Sequence, residues 1–184
     1  MPRKPTTTRE DMIEAAFRLI REQGHEALTA RNLAAALGCS TQPIMYQFPN
    51  LAELRELVYQ RADRFHSSFI LAGDDLLQIA LNYIRFAAEE GPLFRFLFQS
   101  GHFDGMTLAE LIRRPETEEL LAAVSEGLKL PPDEAAAVFE PLYAAVHGYA
   151  CLVASNAMPY DPAAIENALT AVAEGLVNKG EKPC

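Results

Sequence analysis

The stretch TARNLAAALGCSTQPIMYQFPNLAEL, residues 29–54, decides how the N-terminal part of this chain folds. Thr29 is suited to cap a helix, and the Ala- and Leu-rich run after it stops at Gly38, a residue type that often ends helices. Ser40 is suited to cap a second, short helix, which Pro49-Asn50 interrupts. Two short helices joined by a tight turn indicate a helix–turn–helix, whose second helix can lie in the major groove of DNA.

The predicted second helix turns Ile44 and Phe48 inward and leaves mostly uncharged, hydrogen-bonding side chains on its outer face. Such side chains suit base edges and phosphates, although they also occur on any solvent-exposed polar helix. We expect DNA contacts from this helix, the turn and the preceding helix, at Thr29, Arg31, Ser40, Thr41, Gln42, Pro43, Tyr46 and Gln47.

Charge is distributed unevenly along the chain. The net charge of the 184 residues is −9, yet residues 1–66 have a balance of +1 and residues 67–184 a balance of −10. The stretch Ala27–Ala52 contains neither Asp nor Glu. A surface that meets phosphates must exclude carboxylates, because like charges at close range repel each other. The distribution therefore favours a nucleic-acid contact in the N-terminal part, although chance or burial also produces such gaps.

The rest of the chain also reads as helices, because strand-like alternation is absent and Ala, Leu and Glu dominate. We predict an all-α fold with a helix–turn–helix domain at residues 1–48 and a second helical domain at residues 49–184. Gly, Pro and capping residues mark the expected helices: 9–23, 30–37, a short helix after Ser40, 51–65, a helix that Asp74-Asp75 opens and that ends before Gly91-Pro92, 93–98, 107–113, 116–128, a helix from Pro131-Pro132-Asp133 to about 156, and 162–177.

Several function classes find no support in the sequence. The three cysteines are far apart and lack C-x-x-C spacing, so neither a disulfide framework nor a zinc site is indicated. The spacing Glu22-x-x-His25 suits a di-iron site only if it recurs on a second helix, and it does not recur. There is no N-terminal apolar segment of the signal type, and the apolar stretch Pro141–Ala154 is shorter than the roughly 20 residues that span a bilayer. We expect a cytoplasmic protein that is not an enzyme and has no metal, cofactor or membrane partner.

The C-terminal helices indicate self-association. The stretch Pro141–Val153 is apolar nearly all round, so that a helix there needs cover on two sides. The following helix has an apolar stripe at Ile165, Leu169, Val172 and Leu176. We therefore expect a homodimer whose interface is built from these two helices.

The helix–turn–helix stretch resembles TetR-type transcriptional repressors over roughly residues 8–60. The matching positions are Thr29, Leu33-Ala34, Gly38, Ser40, Ile44, Phe48 and Leu54. The resemblance implies a homodimeric, ligand-responsive regulator that binds a palindromic double-stranded operator, most often as a repressor. Two positions differ, since the family usually has Tyr where this chain has Met45 and Lys where it has Leu51. Tyr46 and Gln47, or Arg3 and Lys4 in the N-terminal arm, are the candidates to replace those phosphate contacts.

The C-terminal part is similar to a TetR subgroup with a Trp-x-x-x-His-Gly signature, here Tyr143-Ala-Ala-Val-His147-Gly148, and to its segment Phe86–Phe98. This similarity implies that residues 49–184 form a ligand-binding and dimerisation domain. The aromatic residues are most simply a core, but as pocket walls they suit an apolar or aromatic effector. The expected ligand contacts are Tyr83, Phe86, Phe94, Phe98, Phe103, Met106, Tyr143, His147 and Cys151.

Two rival functions remain open at this point. A helical-bundle enzyme or metal carrier would need Glu and His ligands repeated on facing helices, and the sequence lacks that repeat. A helical protein-interaction domain would show no DNA binding in a gel-shift experiment.

Overall fold

The computed structural model describes residues 7–102, 105–113 and 117–180, with the side chains up to residue 176. Over these ranges every regular element is a helix, so the predicted all-α fold is confirmed. The helices are α1 (Arg9–Gln23), α2 (Ala30–Leu37), α3 (Thr41–Gln47), α4 (Leu51–Ile70), α5 (Leu76–Glu89), α6 (Gly91–Phe98), α7 (Leu108–Leu111), α8 (Glu118–Leu128), α9 (Pro132–Ala154) and α10 (Pro162–Gly180), with a 3-10 turn at His25–Ala27.

Packing divides the chain into two compact units. The first, here called the head unit, consists of Met1–Ser67 and Glu90–His102, and the second, the body unit, of Ser68–Glu89 and Phe103–Cys184. The short helix α6 thus groups with the N-terminal helices, although it lies far from them in sequence. The domain boundary that the sequence predicts after residue 48 stays a prediction.

Helix α4 is longer than the sequence indicated. We predicted its end at residue 65, but it continues to Ile70. Its buried positions recur every four residues, at Leu54, Val58, Ala62, His66 and Ile70, with Tyr59 buried beside them. The buried row runs through His66, a polar residue type that signals a helix end in the sequence.

The core of the head unit is formed mainly by α1, which buries Met12, Ala16 and Ile20 completely. Thr8 begins this helix with a capping box, because its hydroxyl accepts from the Asp11 amide at 3.1 Å and its own amide donates to the Asp11 carboxylate at 2.9 Å. Helix α2 turns Leu33 and Ala34 inward, whereas Ala36 is exposed.

The start of α6 is tied to α1 by a charge pair within the head unit. The guanidinium of Arg21 forms a two-point ion pair with the buried carboxylate of Glu90, with Nε donating to Oε2 at 2.8 Å. The Glu90 carboxylate raises the pKa of Arg21 above its usual value. The guanidinium also lies 5.1 Å from the centre of the Phe65 ring. Since a buried carboxylate without a partner is costly, this pair holds α6 in a defined place on α1.

Helix α9 is the central element of the body unit, where it packs against α5, α8 and α10. The helix has 23 residues and contains an 18-residue apolar window with a mean hydropathy of 1.3, which by length and composition would allow it to cross a membrane, whereas the shorter stretch Pro141–Ala154 did not indicate such a length. Buried helices of soluble proteins pass the same test, yet only 28% of the apolar window is buried within this chain. The helix therefore has an apolar face that its own subunit leaves uncovered.

Candidate nucleic-acid interface and ligand site

The turn between α2 and α3 is fixed by local hydrogen bonds. Thr29 caps α2 by accepting from the amide of Asn32 at 3.1 Å, and the Asn32 side chain donates to the carbonyl of Ala27 at 2.9 Å. Gly38 ends α2 in the left-handed conformation at φ 62°, where a side chain would be strained. The amide of Cys39 then donates back to the carbonyl of Ala34 at 3.0 Å. The conformation of Gly38 and the Cys39 hydrogen bond set the direction in which α3 begins.

Helix α3 is anchored on one side only. Ile44 and Phe48, which follows the helix, are completely buried. The opposite side is open to solvent, with Tyr46 exposed to 85% and Met45 to 42%. Of the predicted contact residues Thr29, Arg31, Ser40, Thr41, Gln42, Pro43 and Tyr46 are exposed, and Gln47 is half-buried. The structure thus leaves seven of the eight predicted residues exposed to solvent, and their joint role in DNA contact stays a prediction.

Arg9, which sequence analysis did not single out, holds the C-terminal end of α3. Its guanidinium lies 4.3 Å from the centre of the Phe48 ring and donates to the carbonyl of Gln47 at 3.2 Å. It also forms an ion pair with Glu53 on α4. The only signal in the sequence is an arginine at the start of a helix, where acidic residues are preferred. Arg9 therefore positions the C-terminal end of α3 through its contacts with Gln47 and Phe48.

The two departures from the TetR pattern are on or beside the same surface. Met45 is exposed and Leu51 is half-buried at the first position of α4, and neither side chain carries the hydroxyl or the charge of the usual residue. Tyr46 provides an exposed phenol next to Met45. The arm residues Arg3 and Lys4 lie outside the described residues.

In the body unit, four of the predicted ligand residues form one hydrogen-bonded cluster. The hydroxyl of Tyr83 on α5 is 2.9 Å from His147 Nδ1 and 3.4 Å from the hydroxyl of Tyr143. The thiol sulfur of Cys151 lies 3.4 Å from His147 Nε2. The rings of Tyr143 and His147 stack with centroids 5.6 Å apart. Burial raises the pKa of Tyr143 and lowers that of His147, so that both side chains are held in their neutral forms.

A small cavity adjoins this cluster between α5, α8 and α9. Its volume is about 40 Å³, and its wall is apolar except for the two tyrosines. This space exceeds the roughly 10–15 Å³ that one water needs, but it is smaller than the ~150 Å³ of an apolar cavity known to hold benzene. A drug-sized ligand would have to displace side chains of the wall.

The other predicted ligand residues are placed elsewhere. Phe86 is completely buried and packs edge-on against Phe69, with the ring centroids 5.4 Å apart. Phe94 and Phe98 belong to the head unit, where the centroids of their rings are 5.0 Å apart. Met106 is exposed to 49%, and Phe103 lies outside the described residues. The structure therefore brings Tyr83, Tyr143, His147 and Cys151 together, and the wider ligand set stays a prediction. Among the described residues no group of three His, Cys, Asp or Glu side chains could hold a metal ion.

Comparison with known proteins agrees with this architecture. Residues 12–58 match the family model of bacterial regulatory proteins of the tetR family, a segment that covers α2, α3 and most of α1. A solved structure of a TetR family member from Streptomyces coelicolor A3 superposes with a TM-score of 0.56 and 22% identity, over 89% of this chain and 96% of that one. No curated protein sequence matches the chain.

The described fold thus contains a helix–turn–helix with an exposed α3 surface, in a segment that is similar to the N-terminal domain of tetR family regulators. The matched segment supports DNA binding in transcriptional regulation. The structural likeness shows that the fold shared with this protein extends over the body unit as well.

The buried His147 predicts a specific dependence of stability on pH. Because its pKa in the folded chain is below the value of about 6.5 for the unfolded chain, acidification protonates the unfolded chain first. We expect the free energy of unfolding to fall as the pH drops below about 6.5, by an amount that His147→Asn removes. Urea unfolding between about pH 7.5 and pH 5 measures this difference, with the exposed His102→Asn as control. A difference between wild type and His147→Asn that stays constant over this range would contradict the prediction.

Proposed function

We propose that this protein is a homodimeric transcriptional repressor that binds a palindromic DNA operator. A small molecule bound in the body unit would release it from the DNA. The observation that carries the proposal is the exposed, carboxylate-free surface of α3 on a fully buried anchor, within a segment that matches TetR-type regulators. In such a dimer, two α3 helices enter successive major grooves about 34–36 Å apart. Phosphate contacts would then position the protein, and the outer side chains of α3 would read base edges.

The DNA contact is tested by two substitutions on the exposed face of α3. We expect Gln42→Ala and Tyr46→Ala each to weaken operator binding by about 1–3 kcal/mol, because each removes a side chain that contacts DNA but supports nothing in the fold. The operator is first selected from genomic fragments, and affinities are then measured by fluorescence anisotropy at several salt concentrations.

Gln23→Ala, at the exposed end of α1, is the matched control and should bind as the wild type does. Each phosphate that the protein neutralises contributes about −0.9 to the slope of log K against log salt concentration. Because Met45 and Leu51 offer no charged contact, this slope should be shallower than in TetR-type proteins that have Tyr and Lys at these positions. The proposal fails if no fragment is enriched, or if the α3 variants bind as tightly as Gln23→Ala.

The homodimer is supported by the face of α9 that its own subunit leaves open. The exposed residues Ala137, Pro141, Ala144, Gly148 and Leu152 are spaced by three or four positions and form a single uncharged stripe. Leu152 is exposed to 46%, and a Cβ placed on Gly148 would meet nothing within 4 Å. Small residues let a second helix approach closely, and a second copy of this stripe offers the same shape. A twofold contact of the stripe with itself would therefore cover it.

In this proposal, the residues of α10 at the interface between subunits are not those of its apolar stripe. Ile165 and Leu169, expected at the interface, are buried inside the subunit at 0% and 2% exposure. The open part of α10 beside them consists of small residues, namely Ala164, Ala171 and Gly175. A four-helix contact between subunits would thus use small side chains from both α9 and α10, and aliphatic side chains of α10 would hold it to its own body unit.

A substitution at Gly148 separates assembly from folding. We expect Gly148→Glu to give a monomer with unchanged helix content, because the new carboxylate meets open space in the subunit but faces its copy in a dimer. Leu152→Glu should behave in the same way, whereas Leu169→Glu should unfold the body unit. Analytical ultracentrifugation gives the mass and circular dichroism the helix content. The control is Ala163→Glu, which lies at an exposed position away from the small-residue face. A monomeric wild type at micromolar concentration, or a dimeric Gly148→Glu, would refute this interface.

The effector is proposed to be an apolar or aromatic molecule that reaches the cluster of Tyr83, Tyr143 and His147. This placement follows the similarity to the Tyr/Trp-x-x-x-His-Gly subgroup, and it is supported by the cavity beside the two tyrosines. Such a molecule releases DNA only if it binds the released state more tightly than the DNA-bound state. Its hydroxyl or carbonyl groups would exchange hydrogen bonds with the tyrosine hydroxyls.

Ligand screening by thermal shift tests this site. A compound at 100 times its Kd should stabilise the protein by about 2.7 kcal/mol and lower its affinity for the operator. Tyr83→Phe should weaken the binding of compounds with a polar group by about 0.5–1.5 kcal/mol, through loss of one hydrogen bond, without altering operator affinity in their absence. The half-buried Tyr149→Phe is the control. A ligand whose affinity is unchanged in Tyr83→Phe and in Tyr143→Phe must bind elsewhere.

A further inference from the structure

The body unit contains a second cavity, which differs in size and chemistry from the space beside Tyr83. It lies among α5, α8, α9 and α10 and has a volume of about 260 Å³, several times that of the first cavity. This is also larger than the ~150 Å³ cavity that holds benzene. Its wall is formed by Leu, Ala and Val side chains together with Thr170 and Glu174.

The aliphatic side chains of this wall are incompletely covered by the protein. Leu77, Leu128 and Val138 are each half-buried although they belong to the interior faces of three different helices. Apolar surface that faces an open cavity gains free energy when an apolar ligand covers it. A binding site is therefore a better account of this space than a packing defect, which would be small and closed.

The wall indicates an alkyl chain rather than a ring system. Its lining includes no aromatic side chain, whereas the neighbouring cavity is lined by Tyr83, Phe139 and Tyr143. Leu76 and Leu142 line both spaces and separate them. Leu76 is confined from the other side by Gly127, since a Cβ at Gly127 would lie 2.7 Å from Leu76 Cδ1. The close approach of α8 thus keeps the aliphatic cavity distinct from the aromatic one.

The polar end of the cavity favours a cation. Thr170 and Glu174 are one turn apart on α10, and both are exposed, so they mark the side from which solvent reaches the cavity. No Lys or Arg is part of the lining, and residues 67–184 carry a net charge of −10. A carboxylate at the mouth attracts an ammonium group and repels a fatty-acid carboxylate. We propose that this cavity binds a cationic amphiphile, with its alkyl chain among the leucines and its ammonium group at Glu174.

This site stays open in the proposed homodimer. Successive residues of an α-helix are about 100° apart around its axis, so Thr170 lies about 100° from Ala171, and Glu174 lies about 100° from Gly175 and about 60° from Ala171. The mouth of the cavity therefore borders the small-residue face without being part of it. Amphiphile binding also does not require that the protein binds DNA. Its failure would leave the DNA proposal untouched, and the reverse holds as well.

Isothermal titration of the full chain with n-alkylamines below their micellar concentrations tests the proposal. We expect one decylamine to bind per chain, and the affinity to rise about fourfold with each methylene from hexylamine until the cavity is filled. Decanol, without a charge, should bind more weakly than decylamine, and decanoate more weakly than decanol.

Two variants locate the site. Glu174→Gln should weaken decylamine two- to fivefold, as expected for an exposed ion pair, and should leave decanol unchanged. Glu166→Gln, an exposed carboxylate on the same helix outside the lining, is the matched control and should bind decylamine as the wild type does. Ala173→Leu narrows the cavity and should weaken decylamine at least tenfold while hexylamine changes less.

The proposal is overturned if decanoate binds as well as decylamine, if affinity does not depend on chain length, or if Glu174→Gln and Glu166→Gln behave alike. Should Ala173→Leu not fold, the comparison of the two exposed carboxylates still decides the outcome, since neither side chain is part of the core. Binding of many amines per chain would identify a detergent effect and would equally refute the site.

Discussion

Burial of Ile44 within α3 and of Phe48 directly after it fixes which side of α3 meets solvent, and the candidate DNA surface depends on this constraint. With both side chains fully buried, α3 cannot rotate about its axis without exposing one of them, which would cost roughly 1.5–3 kcal/mol for each side chain. Arg9 reinforces the anchor through the Phe48 ring and the Gln47 carbonyl. The outer residues of α3 are therefore free to vary in chemistry, because none of them carries the fold of the head unit.

Local signals in the sequence were sufficient for most helix ends. Thr29 caps α2 and Gly38 ends it as predicted, because these residues act through bonds to their immediate neighbours. The end of α4 was missed because its buried row includes His66, whose burial depends on packing with Phe98 at 5.2 Å from another part of the chain. A pattern in one segment does not reveal a partner that the fold brings to it from elsewhere.

The candidate sites also differ in whether their residues are neighbours in the sequence or are brought together by the fold. The α3 surface was predictable because its residues are neighbours in sequence and because Ile44 marks the opposite side. The aromatic ligand set was predictable only in part, since residue type gives no indication that Phe94 groups with the head unit and Tyr83 with the body unit. The small-residue face of α9 and α10 was not recognised, because Ala and Gly contribute little to hydrophobic periodicity. It becomes visible only when the large apolar residues are seen to be buried inside the subunit.

The chemistry of the two units agrees with one functional arrangement. In the proposed arrangement, a single α3 with few charged contacts would bind a half-site weakly, since counterion release supplies much of the affinity for DNA and the uncharged side chains of Met45 and Leu51 would contribute nothing to it. Joining two such helices through a stable interface makes the second contact intramolecular, and a modest affinity for each half-site is then sufficient. The small side chains of Ala144 and Gly148 permit close contact between helices without a charge that would have to be desolvated. Because most carboxylates lie in residues 67–184, the acidity of the protein is kept in the sequence region that holds the cavities and away from the surface that would meet phosphates.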